Sequence, residues 1–231
     1  MSAIVACSEL RFQYPNTGFA LHVPTFELQA GQTVFLQGNS GSGKSTFLNL
    51  LAGVLKPQQG TVVVMERNLG GLSSVQCDRL RVDHMGFLFQ QFNLLNYLSV
   101  LDNVCLPCEF SAHRRKKALQ RYASIQQAAQ DLLNELGLGH TLDHPVHTLS
   151  VGQQQRVAAA RALIGQPDVI IADEPTSALD ETHRDAFMRL LLQHIEQQYT
   201  ALILVSHDAR LAAYCQRTEQ MSNWHCSHEE A

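Results

Sequence analysis

The stretch Gly38-Asn39-Ser40-Gly41-Ser42-Gly43-Lys44-Ser45 constrains this chain more than any other, because it fits the pattern G-x-x-x-x-G-K-[ST]. The run Thr33 to Gln37 before it reads as a strand, and the apolar run Phe47 to Leu51 after it reads as a helix. A strand that turns through glycines into a helix is the context in which this pattern makes a phosphate-binding loop. The glycines let backbone N–H groups turn inward on an anion, and the helix N-terminus adds the positive end of its dipole. Lys44 then reaches the β- and γ-phosphate oxygens, and Ser45 can ligate Mg²⁺. A purely structural turn needs glycine but has no use for Lys-Ser at its end. The candidate nucleotide-binding set is therefore Gly38, Asn39, Ser40, Gly41, Ser42, Gly43, Lys44, Ser45 and Thr46.

Around the loop, the first third of the chain reads as short strands, Ile4 to Phe12, Ala20 to Leu28 and Thr61 to Met65, with Gly and Pro between them. From about Val100 to Leu136 the pattern turns helical, with Ile125, Ala129, Leu132 and Leu136 at helical spacing and Gly137-Leu138-Gly139 ending it. Val169 to Ala172 and Ala201 to Val205 are continuous apolar runs, as in parallel strands buried on both faces. Between them Phe187, Leu190, Leu191 and Ile195 mark an amphipathic crossover helix, which completes a βαβ unit and an α/β fold class.

With 231 residues and 45% apolar content, the chain can bury the core of one α/β unit with a smaller subdomain. No apolar run approaches the ~18–20 residues needed to cross a bilayer, and Met1-Ser2-Ala3-Ile4 lacks the features of a signal peptide. The chain is thus expected to stay in the cytoplasm and to reach a membrane only through a partner, without direct insertion. A net charge of −4 argues against nucleic acid as a ligand. The basic run His113 to Lys117 reads as a solvated loop or helix start. Six cysteines without an export signal read as reduced thiols; Cys105 and Cys108 read as small buried residues, and the tail His225-Cys226-x-His228 is assigned no function.

A phosphate loop alone fits kinases, GTPases and motors equally. The pair Asp173-Glu174, delivered by a buried strand, narrows the choice: one carboxylate can hold the Mg²⁺ shell and the next can activate a water. Leu149-Ser150-Val151-Gly152-Gln153, about twenty residues ahead of that pair, resembles the signature motif of ABC ATPases. The remaining elements of that family follow in order: Tyr14 before the loop, Gln90 in Phe89-Gln90-Gln91, Ser177-Ala178-Leu179-Asp180, and His207 after the last core strand.

The resemblance implies a P-loop NTPase core of RecA-like type, with an N-terminal antiparallel β subdomain and an inserted α-helical subdomain. Residues 1–90 and 147–231 would form the nucleotide-binding core and residues 91–146 the helical part. It further implies that Tyr14 stacks on adenine, that Glu174, His207 and Gln90 serve catalysis, and that Ser45, Gln90 and Asp173 surround Mg²⁺ bound with ATP. Ser150, Gly152 and Gln153 would meet the γ-phosphate held by a second copy of the chain, and Asp180 would lie on the loop crossing that dimer interface. Val151 departs from the usual L-S-G-G-Q; a β-branched residue resists positive φ, so position 151 is expected to keep ordinary backbone geometry, its side chain turned from the phosphate.

Gly86 to Leu95, with Leu101-Asp102-Asn103-Val104 and Leu106-Pro107, resembles the lipoprotein-release and macrolide-export group. The implied partner is an integral membrane permease of the FtsX-like or macrolide-exporter-like type, holding the chain at the inner face of the cell membrane. An importer ATPase, or a regulator of a cell-envelope enzyme, would keep the same catalytic residues.

Overall fold

The computed structural model describes residues 3–15 and 19–224. In chain order the elements begin with β1 (Val5–Gln13), β2 (Ala20–Leu28), β3 (Thr33–Gln37), α1 (Lys44–Leu51), β4 (Gln59–Val64) and β5 (Arg67–Asn68). Then come α2 (Ser74–His84), β6 (Met85–Leu88), α3 (Val100–Phe110), α4 (Ala112–Leu119), α5 (Ile125–Glu135) and α6 (Val151–Leu163). The last are β7 (Val169–Asp173), α7 (Glu181–Gln198), β8 (Ala201–Ser206) and β9 (Arg217–Gln220). These group into two compact units, one made of the chain up to Arg81 with that from Ala201, the other of Val82–Thr200.

The first unit holds an antiparallel sheet of order β2-β1-β4-β5. Alternation sets its register: Val5, Leu10 and Phe12 of β1 pair with Leu28, Val23 and Leu21 of β2, and all six are buried. In the same unit β3 lies between β8 and β9, parallel to both. Val34, Phe35 and Leu36 are fully buried, as are Leu202 to Val205, which explains why these strands show no alternation in the sequence. Phe47 of α1 packs against Trp224 and Phe26, ring centroids 4.8 and 5.3 Å away, and so anchors the helix that follows the glycine loop.

The second unit holds β6 and β7, parallel and paired from Met85 with Val169 to Leu88 with Ala172, together with α3 to α7. The helical stretch read from Val100 onward is broken twice, at Ser111 and Ser124. Each serine caps the next helix, its hydroxyl accepting from Arg114 N–H at 3.0 Å and Gln127 N–H at 3.1 Å. Gly86 is forced by packing: a Cβ there would lie 2.4 Å from the Ala162 carbonyl oxygen, so β6 meets the end of α6 backbone to backbone.

The basic run is the helix start expected, opening α4, but it is not solvated throughout. Arg114 is buried, and its guanidinium donates to the carbonyls of Ile164, Met85 and Ala162, at 2.9, 3.3 and 2.7 Å. Burial lowers its pKa to about 10, yet the three carbonyls satisfy a charge that would otherwise be costly to desolvate. Lys117 is tied to Asp168 and Gln166, and Arg115 to Glu109. A row of basic letters cannot reveal which of them turns inward along a helix. Cys105 and Cys108 are buried on α3, and burial pushes the Cys105 thiol up to about 12 and that of Cys108 upward. The tail cluster His225-Cys226-His228 lies outside the described residues.

Candidate nucleotide site and signature helix

Within the first unit, β3 ends at Gln37, whose register partners are Ser206 of β8 and Gln220 of β9. Gly38 and His207 therefore leave the sheet side by side at the carboxyl end of the strands, the usual place for ligands in parallel sheets. The loop turns into α1 at Gly43, whose φ of 90° is open only to glycine at low cost, and whose missing Cβ would lie 2.6 Å from the Phe19 ring. No side chain caps α1, so the first-turn N–H groups of Lys44, Ser45 and Thr46 remain available to an anion. Lys44 Nζ donates to the Gly38 and Asn39 carbonyls at 2.7 and 2.9 Å, which leaves one of its three protons for another acceptor.

Tyr14 is 36% exposed and packs edge-on against Phe12, centroids 4.9 Å apart, and beside Phe19 at 6.3 Å. Phe19, beside Tyr14, in turn covers Gly43 of the loop. Phe19 itself escaped the sequence reading, because only the strand pairing brings it over the glycine.

In the second unit, Leu88 and Ala172 are register partners, so Gln90 and the Asp173-Glu174 pair also emerge at one end of their strands. Glu174 has φ of 48°, in the left-handed region, which costs a non-glycine residue roughly 1–2 kcal/mol. Gln155 of α6 donates to the Pro175 carbonyl at 2.6 Å and fixes the loop that follows Glu174.

Helix α6 starts in a capping box. The Gln153 N–H donates to Ser150 Oγ at 3.3 Å, and the Ser150 N–H donates to Gln153 Oε1 at 3.0 Å. Two signature residues thus shape their own helix terminus, while the Ser150 hydroxyl proton and the N–H groups of Val151 and Gly152 stay free to point outward. Val151 has no positive φ, the ordinary backbone geometry expected of it, and its side chain is half exposed. Asp180 caps α7, its Oδ1 accepting from the His183 N–H at 3.0 Å; backbone and side-chain bonds from His183 hold its carboxyl below the usual range.

One connection was not anticipated. Arg161, two turns along α6 from Gln153, donates to the carbonyls of Phe92 and Asn93, both at 2.6 Å. Phe92 and Asn93 have φ of 56° and 50°, so the loop after Gln90 is bent back and pinned to the signature helix by one guanidinium.

The profile of the ABC transporter family matches residues 21–177. The chain belongs to that family. As an ABC cassette it binds and hydrolyses ATP to drive transport. It is 44% identical to the lipoprotein-releasing system ATP-binding protein LolD of Hydrogenovibrio crunogenus, over 87% of this chain and 84% of that protein. It is 40% identical to the macrolide export ATP-binding/permease protein MacB of a Shewanella species, over 82% of this chain and 28% of that one. The cassette also matches the dimeric post-hydrolysis structure of the ATP-binding cassette MJ0796 bound to ADP and Pi, with TM-score 0.78 and 32% identity, covering 94% and 93% of the two chains.

The residues present suit a nucleotide triphosphate. Ser42 Oγ is buried inside the loop without a hydrogen-bond partner, which a phosphate oxygen would supply. The outward N–H groups of α1 and the remaining Lys44 proton complete an anion-binding donor set.

Proposed function

We propose that this ABC cassette drives a separate integral membrane permease of the lipoprotein-release and macrolide-export type, anchored by it at the inner face of the membrane. The observation that carries this reading is the similarity to both members of that group, 44% identity to the lipoprotein-releasing system ATP-binding protein and 40% to the macrolide export ATP-binding/permease protein. Among the described residues no helix is long and apolar enough to cross a membrane.

In this reading Tyr14 stacks on adenine, the 38–46 loop holds the phosphates, and Lys44 neutralises the β/γ oxygens. Ser45, Gln90 and Asp173 would hold Mg²⁺, which supplies charge stabilisation at the transferring phosphoryl group. Glu174, set by its left-handed backbone, takes a proton from the attacking water, and His207 orients that water. Ser150, Gly152 and Gln153 act on the nucleotide of a second copy, with Asp180 at the interface, so hydrolysis requires two chains.

The test is purification of the tagged chain from its native membranes with identification of the co-purified proteins. A permease with a large extracytoplasmic domain is expected. Recovery of an importer permease with a substrate-binding protein would overturn the export assignment.

A further inference from the structure

At the other end of β6 and β7 from Gln90 and Asp173 lies a second group of ligand-type side chains. His84 ends α2 just before β6, and Asp168 directly precedes β7. The Asp168 N–H donates to the His84 carbonyl at 2.9 Å, so the strand register sets the two residues side by side. Helix α4 brings His113 over them, its ring centroid 5.0 Å from that of His84. One ligand atom from each of the three lies within 4.8 Å of the other two, and no other such trio of His, Cys, Asp or Glu occurs among the described residues.

Two observations set this cluster apart from an ordinary ion pair. His113 Nε2 is buried and has no hydrogen-bond partner, whereas buried polar side-chain atoms nearly always have one. The Asp168 carboxylate is also divided in its contacts. Its Oδ1 accepts from Lys117 at 3.1 Å, while its Oδ2 faces His84 Nδ1 at 2.7 Å. Lys117 is held in turn by the Gln166 carbonyl at 2.8 Å, so it orients the carboxylate as outer partners do in metal sites and leaves Oδ2 to the imidazoles.

We propose that His84, His113 and Asp168 bind one transition-metal dication of the zinc class. Two imidazoles and one carboxylate suit Zn²⁺, Co²⁺ or Ni²⁺; Mg²⁺ prefers an all-oxygen shell and keeps its waters. Bonds of ~2.0–2.2 Å require the ligand atoms to draw in by about 1.5 Å at most, which rotation of side chains accommodates. The metal takes the place of the His84–Asp168 hydrogen bond, and water completes the fourth position. It ties α4 to the starts of β6 and β7, away from the Mg-ATP chemistry assigned to Asp173 and Glu174. Lys117 and Arg114 face the cluster against Asp83 and Asp168, so no excess of negative charge would draw a hard cation there.

The experiment is Co²⁺ and Zn²⁺ titration of the full chain, run beside a variant in which His225, Cys226 and His228 are replaced by Ala, Ser and Ala to silence the tail. In the tail variant one Co²⁺ per chain is expected, with a visible absorption band that excess Mg²⁺ does not remove, and Zn²⁺ is expected to raise its Tm. Adding His113→Gln or Asp168→Asn should abolish the band and the Tm rise. Binding that vanishes with the tail, or survives both substitutions in folded protein, overturns the proposal. Should both substituted chains fail to fold, the tail variant decides alone: no band and no Tm rise with Zn²⁺ would equally overturn it.

Discussion

A carboxylate at the end of a buried strand is common, but Glu174 also has a left-handed backbone, φ 48°, which nothing in the residue type favours. Strain of this kind persists only where surrounding contacts enforce it, and here Gln155 grips the next residue's carbonyl. Glu174→Gln keeps that geometry and removes the proton acceptor. Single-turnover assays are expected to show turnover reduced by about 10²-fold or more with ATP still bound. A wild-type rate would remove Glu174 from the role. Lys44→Ala removes a charge-assisted contact to phosphate, and calorimetry should find ATP affinity lost. The Gly-Lys-Ser pattern, Asp173-Glu174 and the signature were all legible in the sequence because each is a run of adjacent letters. The φ of Glu174, the cover of Phe19 over Gly43 and the inward turn of Arg114 were not, because each depends on contacts between distant segments.

At the scale of elements, the boundaries of β2 and β3 followed directly from apolar patterning, whereas α2 and β6 left little trace. Only Cys77 and Leu80 of α2 are buried, and β6 is four residues long with a glycine fixed by contact with α6. The breaks within 100–136 were marked by Ser111 and Ser124, caps hidden in a continuous helical pattern. Helix α6 is the element on which the most depends, since it presents Ser150 at one end and grips the loop after Gln90 through Arg161 toward the other. Ser150→Ala should cost about 1 kcal/mol of stability through the lost cap, measurable by urea unfolding, and slow hydrolysis without weakening ATP affinity. Arg161→Met removes two charged hydrogen bonds of ~1.5–3 kcal/mol each, of which the exposed one counts for less. Its expected signature is a lower Tm and slower turnover with ATP affinity retained, partly rescued by Arg161→Lys, which can reach one carbonyl. Full activity in the Met variant would show that the clamp holds no functional position.

For the molecule as a whole, the proposed coupling needs one surface for the permease and one for a second copy. We propose that the helical segment from about Leu94 to Leu136 docks the permease; within it Asn103 is fully buried and bonds Leu95 and Ser99, so it shapes the loop from within. Tyr97, 81% exposed, is the most exposed large apolar residue of that segment. Tyr97→Asp should reduce co-purified permease while leaving basal ATP hydrolysis intact; unchanged recovery would move the docking surface elsewhere. The most direct test of the central claim, an ATP-driven pair of cassettes, is sedimentation velocity of the Glu174→Gln chain with and without Mg-ATP. Monomer without nucleotide and dimer with it are predicted, the dimer being lost when Lys44→Ala is added. A chain that binds ATP and remains monomeric at every concentration would contradict it.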